Sequence, residues 1–148
     1  MTMRIVYVVH QYLPRYFTGT EQYVHAIARA MQQRGHEVAV FTLEPDFSDR
    51  QPLFEQVDEL VEGVPVTRLR AWYHLDRDYE RMEYAHPFLA ERFRRHLQAQ
   101  RPDVVHVFHL RYLGADLIAE ARVLGVPVVV HLMDFWFLCP AVVLRRPD

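Results

Sequence analysis

The stretch PDVVHVFHLRYLGADLIAEARVLGVPVVVHLMDFWFLCP, residues 102–140, constrains the fold of this chain more than any other. Two short runs rich in β-branched residues, 104–108 and 126–132, bracket a segment in which Leu113, Leu117, Ala121 and Leu124 recur at helical spacing. Gly125 stands just past the last of these, where a left-handed cap needs a residue without a side chain, and Pro127 prevents any restart. The spacing therefore predicts strand, helix (113–124) and strand in succession. The second run is apolar on both faces, which predicts a parallel strand covered on two sides. Polar groups gather where each strand runs out: His109, Arg111 and Tyr112 after the first, Asp134, Phe135 and Trp136 after the second. In an open parallel sheet that edge is where ligands bind.

The N-terminal third repeats the arrangement. Residues 4–10 are apolar nearly throughout and predict a central strand. The loop HQYLPRYFTGT follows, with Pro14 and Gly19 marking irregular backbone. Thr18 and Glu21 have the spacing of a capping box, so a helix starts there. Val24, Ile27, Ala28 and Met31 form its core stripe, Gly35 closes it, and a second strand occupies 38–43.

The pattern then weakens. Residues 45–52 form a polar loop, and FEQVDELV (54–61) reads as either helix or strand. Gly63 suits a turn into a strand at 65–70. Residues 72–86 mix aromatics with charges of both signs and read as an excursion, either ligand-contacting or a solvated loop. Pro87 opens a helix running to Gln100, with Leu89, Phe93 and Leu97 inward and Arg92, Arg94, Arg95 and His96 on the other face. The order predicts one α/β domain, a doubly wound parallel sheet in strand order 3-2-1-4-5.

The net charge of −2 excludes the strong positive excess expected of a nucleic-acid binder, although all 17 basic residues are arginine. A lone cysteine, Cys139, fits a reducing, cytoplasmic setting and has no adjacent basic cluster to make it reactive. Neither RIVYVV nor VPVVV reaches the roughly 20 residues a membrane span needs. Residues 106 and 109 repeat histidine on a strand and turn, unlike the helical metalloprotease motif, so no metal is expected. There is no hydrolase elbow and no dinucleotide fingerprint. His10 is either a cleft residue or a histidine satisfied by backbone at a strand end. His106 and His131 read as packed, hydrogen-bonded core residues. Asp134 either orients a ligand or caps local backbone. FWFLC reads as buried filler.

Three stretches together, RIVYVVHQYLPRYFTGTEQYVHAIARAMQQRGHEVAVFT (4–42), PDVVHVFHL (102–110) and GVPVVVHLMDFWFLCP (125–140), resemble the N-terminal domain of the family-four retaining nucleotide-sugar glycosyltransferases. That family has the two-domain GT-B architecture with Rossmann-like halves. The resemblance implies that residues 1–148 form the acceptor-side domain and that a second, donor-binding domain lies outside this chain. It implies transfer of a sugar from a nucleotide-sugar donor to an acceptor, a hexosyltransferase type of reaction that this half alone would not perform. His109 would then be catalytic, Thr18, Gly19, Thr20 and Glu21 the loop approached by the donor diphosphate, and His10, Arg111, Tyr112, Asp134 and Trp136 the acceptor cleft. No cofactor beyond the nucleotide-sugar substrate is implied. The sequence departs from the family pattern at Thr18, where a first glycine is usual, and at Phe108 and Met133, where histidines are usual. A Rossmann-like binding or interaction module without catalysis is the alternative reading. Arg92, Arg94 and Arg95 make peripheral contact with an anionic membrane face a further expectation, against a simply solvated helix face.

Overall fold

A computed structural model of the chain describes residues 1–46, 54–72, 83–139 and 142–144. Its elements run β1 (Arg4–Val9), α1 (Gly19–Gln33), β2 (Glu37–Asp46), β3 (Phe54–Val61), β4 (Val64–Trp72), α2 (Pro87–Gln100), β5 (Val104–Val107), α3 (Asp116–Val123) and β6 (Val128–Val130). The six strands form one sheet in the order β3-β4-β2-β1-β5-β6. The five parallel strands stand in the predicted 3-2-1-4-5 order. The addition is β3, the FEQVDELV stretch, an antiparallel strand on the β4 edge.

Residue alternation explains the layering. Ile5, Tyr7 and Val9 of β1 pack with Val38, Val40, Val64 and Val66 against Val24 and Ala28 of α1. The intervening Val6 and Val8 join Phe41, Leu43, Leu69 and Ala71 under Leu89, Phe93 and Leu97 of α2 and Leu117 and Ala121 of α3. Central strands apolar on both faces are what a sheet covered on both sides requires.

β3 resolves an ambiguity that periodicity left open. Glu62 (φ 48°) and Gly63 (φ 83°) make a two-residue link between Val61 and Val64. Successive positive φ angles match the twist of a tight hairpin. From α1, Arg29 Nη1 donates to the Glu62 carbonyl at 2.5 Å and Gln32 Nε2 to the Gly63 carbonyl at 3.1 Å, pinning that turn.

Other expectations need correction. The strand expected at 126–132 is only Val128–Val130, and it is an edge strand paired on one side alone: Val129 is 48% and Val130 40% exposed, although they point to opposite faces. The helix at 113–124 shortens to Asp116–Val123, with Leu113 buried in the preceding turn. His96 turns inward, its ring 5.1 Å from that of Phe41, instead of joining the arginines outside. FWFLC is not uniformly buried, since Phe135 and Leu138 are exposed while Trp136 is buried. Most of the aromatic, charged excursion at 72–86 lies outside the described residues, which resume at Glu83.

Candidate functional site

The site is built where β1, β5 and β6 end and α1 begins. The parallel ladder runs on past the strands, with Phe108 N–H donating to the Val8 carbonyl at 2.9 Å and His131 N–H to the Val107 carbonyl at 2.8 Å. Those bonds bring His10 and His109 side by side, ring centroids 4.3 Å apart.

His109 is 4% exposed and has both ring nitrogens occupied. The Arg111 backbone N–H donates to Nδ1 at 3.1 Å, which makes Nδ1 the acceptor and places the proton on Nε2, 2.8 Å from Asp134 Oδ2. The other Asp134 oxygen accepts the Trp136 backbone N–H at 2.8 Å. Asp134 thus caps the local backbone, one of the two roles open to it from sequence, and in addition it orients His109. Trp136, 2% exposed, is packed into the wall, its indole donating to Glu83 Oε1 at 2.9 Å and its ring stacked on Tyr84 at 5.1 Å. Arg111 Nε lies 3.3 Å from the same Glu83 oxygen, and its guanidinium lies 5.1 Å from the Tyr112 ring centre.

His10 differs from its neighbour. Its Nδ1 is buried with no hydrogen-bond partner among the described residues, and its Nε2 faces Glu21 Oε1 at 3.9 Å. Burial first, then the nearby His109 and Arg111, push its pKa down to about 3, with Asp134 opposing, so the ring is neutral near pH 7.

At the start of α1, Glu21 reaches back to accept the Thr18 backbone N–H (2.8 Å) and hydroxyl (2.5 Å). This capping box explains why a carboxylate only 2% exposed is tolerated there. The N–H groups of Gly19 and Thr20 keep no partner among the described residues, as the first turn of a helix dictates. Gly19 is the one glycine of five without a positive φ, and a side chain added to it would meet nothing within 4 Å. Neither backbone conformation nor packing among the described residues calls for glycine at this position.

The loop leading to α1 is anchored from beneath. Arg68 of β4, 2% exposed, donates from Nη2 to the Leu13 carbonyl (2.5 Å), from Nη1 to the Tyr12 carbonyl (3.4 Å) and from Nε to Glu59 (2.6 Å). Glu44 draws in Arg15 and lies 3.7 Å from Arg70 and 3.9 Å from Arg68. Sequence reasoning missed Arg68, Glu44 and Glu83. Arg68 had a signal: it stands in phase with Val64 and Val66, on the inward face of β4. Glu83 had none, since it closes an aperiodic stretch.

A hollow of about 420 Å³ lies at the opposite edge of the sheet between Arg4, His36, Pro65 and Gln100. It gathers no comparable convergence of buried polar groups. Among the described residues no group of His, Cys, Asp and Glu is arranged to hold a metal ion. On α2, Arg92 lies over the rings of Phe54 (4.8 Å) and Phe88 (5.2 Å), Arg94 pairs with Glu91 and lies 3.7 Å from Glu120, and Arg95 pairs with Glu91 at 2.8 Å.

The sequence profile of the glycosyl transferase 4-like domain matches residues 18–147. The chain belongs to that family. Among solved structures, this glycosyl transferase 4-like domain is similar to the catalytic domain of starch synthase IV from Arabidopsis thaliana bound to ADP and acarbose, with a TM-score of 0.58 and 18% identity over 88% of this chain and 33% of that one. Sucrose-phosphate synthase from Thermosynechococcus elongatus matches with a TM-score of 0.48 and 16% identity over 72% of this chain and 27% of its own. The domain thus spans about a third of the starch synthase chain it matches, and the likeness is one of fold, that of a GT-B glycosyltransferase domain. Comparison with curated protein sequences returns no match. Among the described residues no helix is long and apolar enough to cross a membrane.

Proposed function

We propose that this domain is the acceptor-side half of a cytoplasmic glycosyltransferase that moves a hexose from a nucleotide-sugar donor to an acceptor with retention, and that the chain by itself transfers no sugar. The carrying observation is Gly19, a glycine demanded neither by φ nor by packing, beside unpaired N–H groups at the positive end of a 15-residue helix. A diphosphate fits that place: it needs close approach to backbone, N–H donors and a favourable dipole. Thr18, Gly19, Thr20 and Glu21 form the approach loop in this reading, and stabilising the departing diphosphate is the helix's contribution to the reaction. His109, fixed by Asp134 and the Arg111 backbone, presents a ring of set orientation at the reacting edge, with His10, Arg111 and Tyr112 around it and Trp136 as the wall behind. No metal enters the reading. The second domain supplies the donor site, and holding donor and acceptor together takes both halves.

The test is Gly19→Val in the full-length enzyme. A branched side chain there should lower sugar transfer at least about tenfold by blocking the phosphate approach. The thermal midpoint should stay put, because the space beside Gly19 is open. Equal loss of melting temperature and activity would assign Gly19 to structure and remove the observation.

Peripheral contact with an anionic membrane through Arg92, Arg94 and Arg95 belongs to this reading only to the extent that Glu91 and Glu120 leave charge to spare. Sedimentation with anionic and neutral vesicles at low and high salt decides it. No binding at low salt removes it.

A further inference from the structure

We infer that His10 and Glu21 together form a hydroxyl-reading pair, a binding point for one hydroxyl group of a neutral sugar-like polyol beside the diphosphate end of α1. The inference rests on the reading of this sheet edge as a sugar-transfer site and names the ligand chemistry at one point of it.

The argument starts from the His10 proton. Nδ1 is sealed from solvent and unpartnered among the described residues. Orphaned buried N–H groups are rarer than under-satisfied acceptors, so Nδ1 carries the lone pair and Nε2 the hydrogen. The carboxylate oxygen facing Nε2 favours the same tautomer. His10 is then a neutral donor aimed at Glu21.

Glu21 supplies the opposite half. Its Oε2 is committed to Thr18, while Oε1 accepts no hydrogen bond among the described residues although the side chain is 2% exposed. Donor and acceptor stand 3.9 Å apart, too far to satisfy each other. An oxygen about 2.8 Å from each would subtend roughly 90° between them, an angle a hydroxyl can meet by accepting from Nε2–H and donating to Oε1.

A phosphate oxygen cannot do this, because it only accepts and would stand against the carboxylate. Anionic oxygens belong instead at the Gly19 and Thr20 N–H groups. The two recognition points therefore differ in kind, one for anion and one for hydroxyl. The neighbouring charged groups leave the pair free for this role, since Asp134 is held by His109 and Trp136, and Arg111 lies beside Glu83.

The experiment uses the 148-residue chain labelled with ¹⁵N at histidine and at backbone amides, titrated separately with methyl α-D-glucopyranoside and inorganic pyrophosphate. At pH 7 His10 should show the Nε2–H tautomer. The glucoside should move the His10 Nε2 resonance and leave the Gly19 amide nearly still, and pyrophosphate should do the reverse. His10→Leu should weaken glucoside binding about tenfold, the loss of one hydrogen bond, while His10→Gln, whose amide keeps an N–H donor there, stays within about threefold of the parent. Unchanged backbone amide resonances of the β2 and β4 core residues Val40, Leu43, Val66 and Leu69 in both variants confirm the fold. A proton found on Nδ1, no His10 response to the glucoside, or a His10 response to pyrophosphate alone overturns the hydroxyl pair. A Gly19 amide that ignores pyrophosphate while His10 answers the glucoside overturns the diphosphate reading instead.

Discussion

Asp134 shows how one side chain at this edge serves two masters: it holds the His109 imidazole through Oδ2 and the Trp136 backbone through Oδ1, at 2.8 Å each. Asp134→Ala should cost about 1–3 kcal/mol, because the Nε2–H of a buried histidine loses its acceptor, and urea melts measure it. Asp134→Asn should cost less, since an amide oxygen can keep one of the two bonds. At this scale the sequence spoke unevenly. His109 and Asp134 could be named from their place just past strand ends, and Thr18 with Glu21 from capping spacing alone. Arg68 could have been found, because strand alternation puts it in line with two buried valines. Glu83 could not, since its partners Trp136 and Arg111 are 53 and 28 positions away and no local pattern announces it.

α2 carries the clearest contrast between faces. Phe93 is fully buried against Phe41, ring centroids 4.9 Å apart, whereas Phe88 on the same helix is 44% exposed beside Phe54 and Arg92. Phe93→Ala should lower stability by about 3–5 kcal/mol, the range for emptying an aromatic core position. Phe88→Ala should stay within about 1 kcal/mol, the worth of an exposed cation–π contact. Chemical denaturation of the two variants side by side checks both. Pro87 and the Leu89, Phe93, Leu97 stripe made this helix readable to its ends. β3 was harder: hydrophobic spacing in FEQVDELV serves either a helix or a half-exposed strand, and only pairing with β4 decides it. β6 misled for a related reason. A valine run states affinity for a sheet, and says nothing of whether a neighbour will cover it. Arg68 ties β4 to the loop before α1, so Arg68→Leu, leaving Glu59 and two carbonyls without their donor, should destabilise by about 3–5 kcal/mol and loosen residues 12–14 in hydrogen exchange.

At the scale of the whole fold, burial lowers the pKa of four histidines among the described residues: His10 to about 3, His96 to about 4, and His86 and His106 in the same direction. The unfolded chain takes up protons below the ordinary value of 6.5 while the folded chain resists them. Their contribution to stability is therefore complete above about pH 6.5 and is lost as pH falls toward 4 and then 3. Asp116, raised by its own burial, works in the opposite sense and offsets part of the loss. Urea midpoints should fall between pH 7 and pH 5, and His96→Phe should flatten that fall by on the order of 1–2 kcal/mol. The sheet supplies a different consequence. Its β3 border presents Glu55, Asp58 and Glu59, while the β6 border presents exposed Val129 and Val130. Charge on one side discourages strand addition and its absence on the other permits it. Among the described residues the sheet thus leaves one border open to strand addition. Two copies joined β6 to β6 would have only acidic borders left, so association at high concentration should stop at pairs and never run on to fibres. Sedimentation velocity with the parent and Val129→Lys would count them.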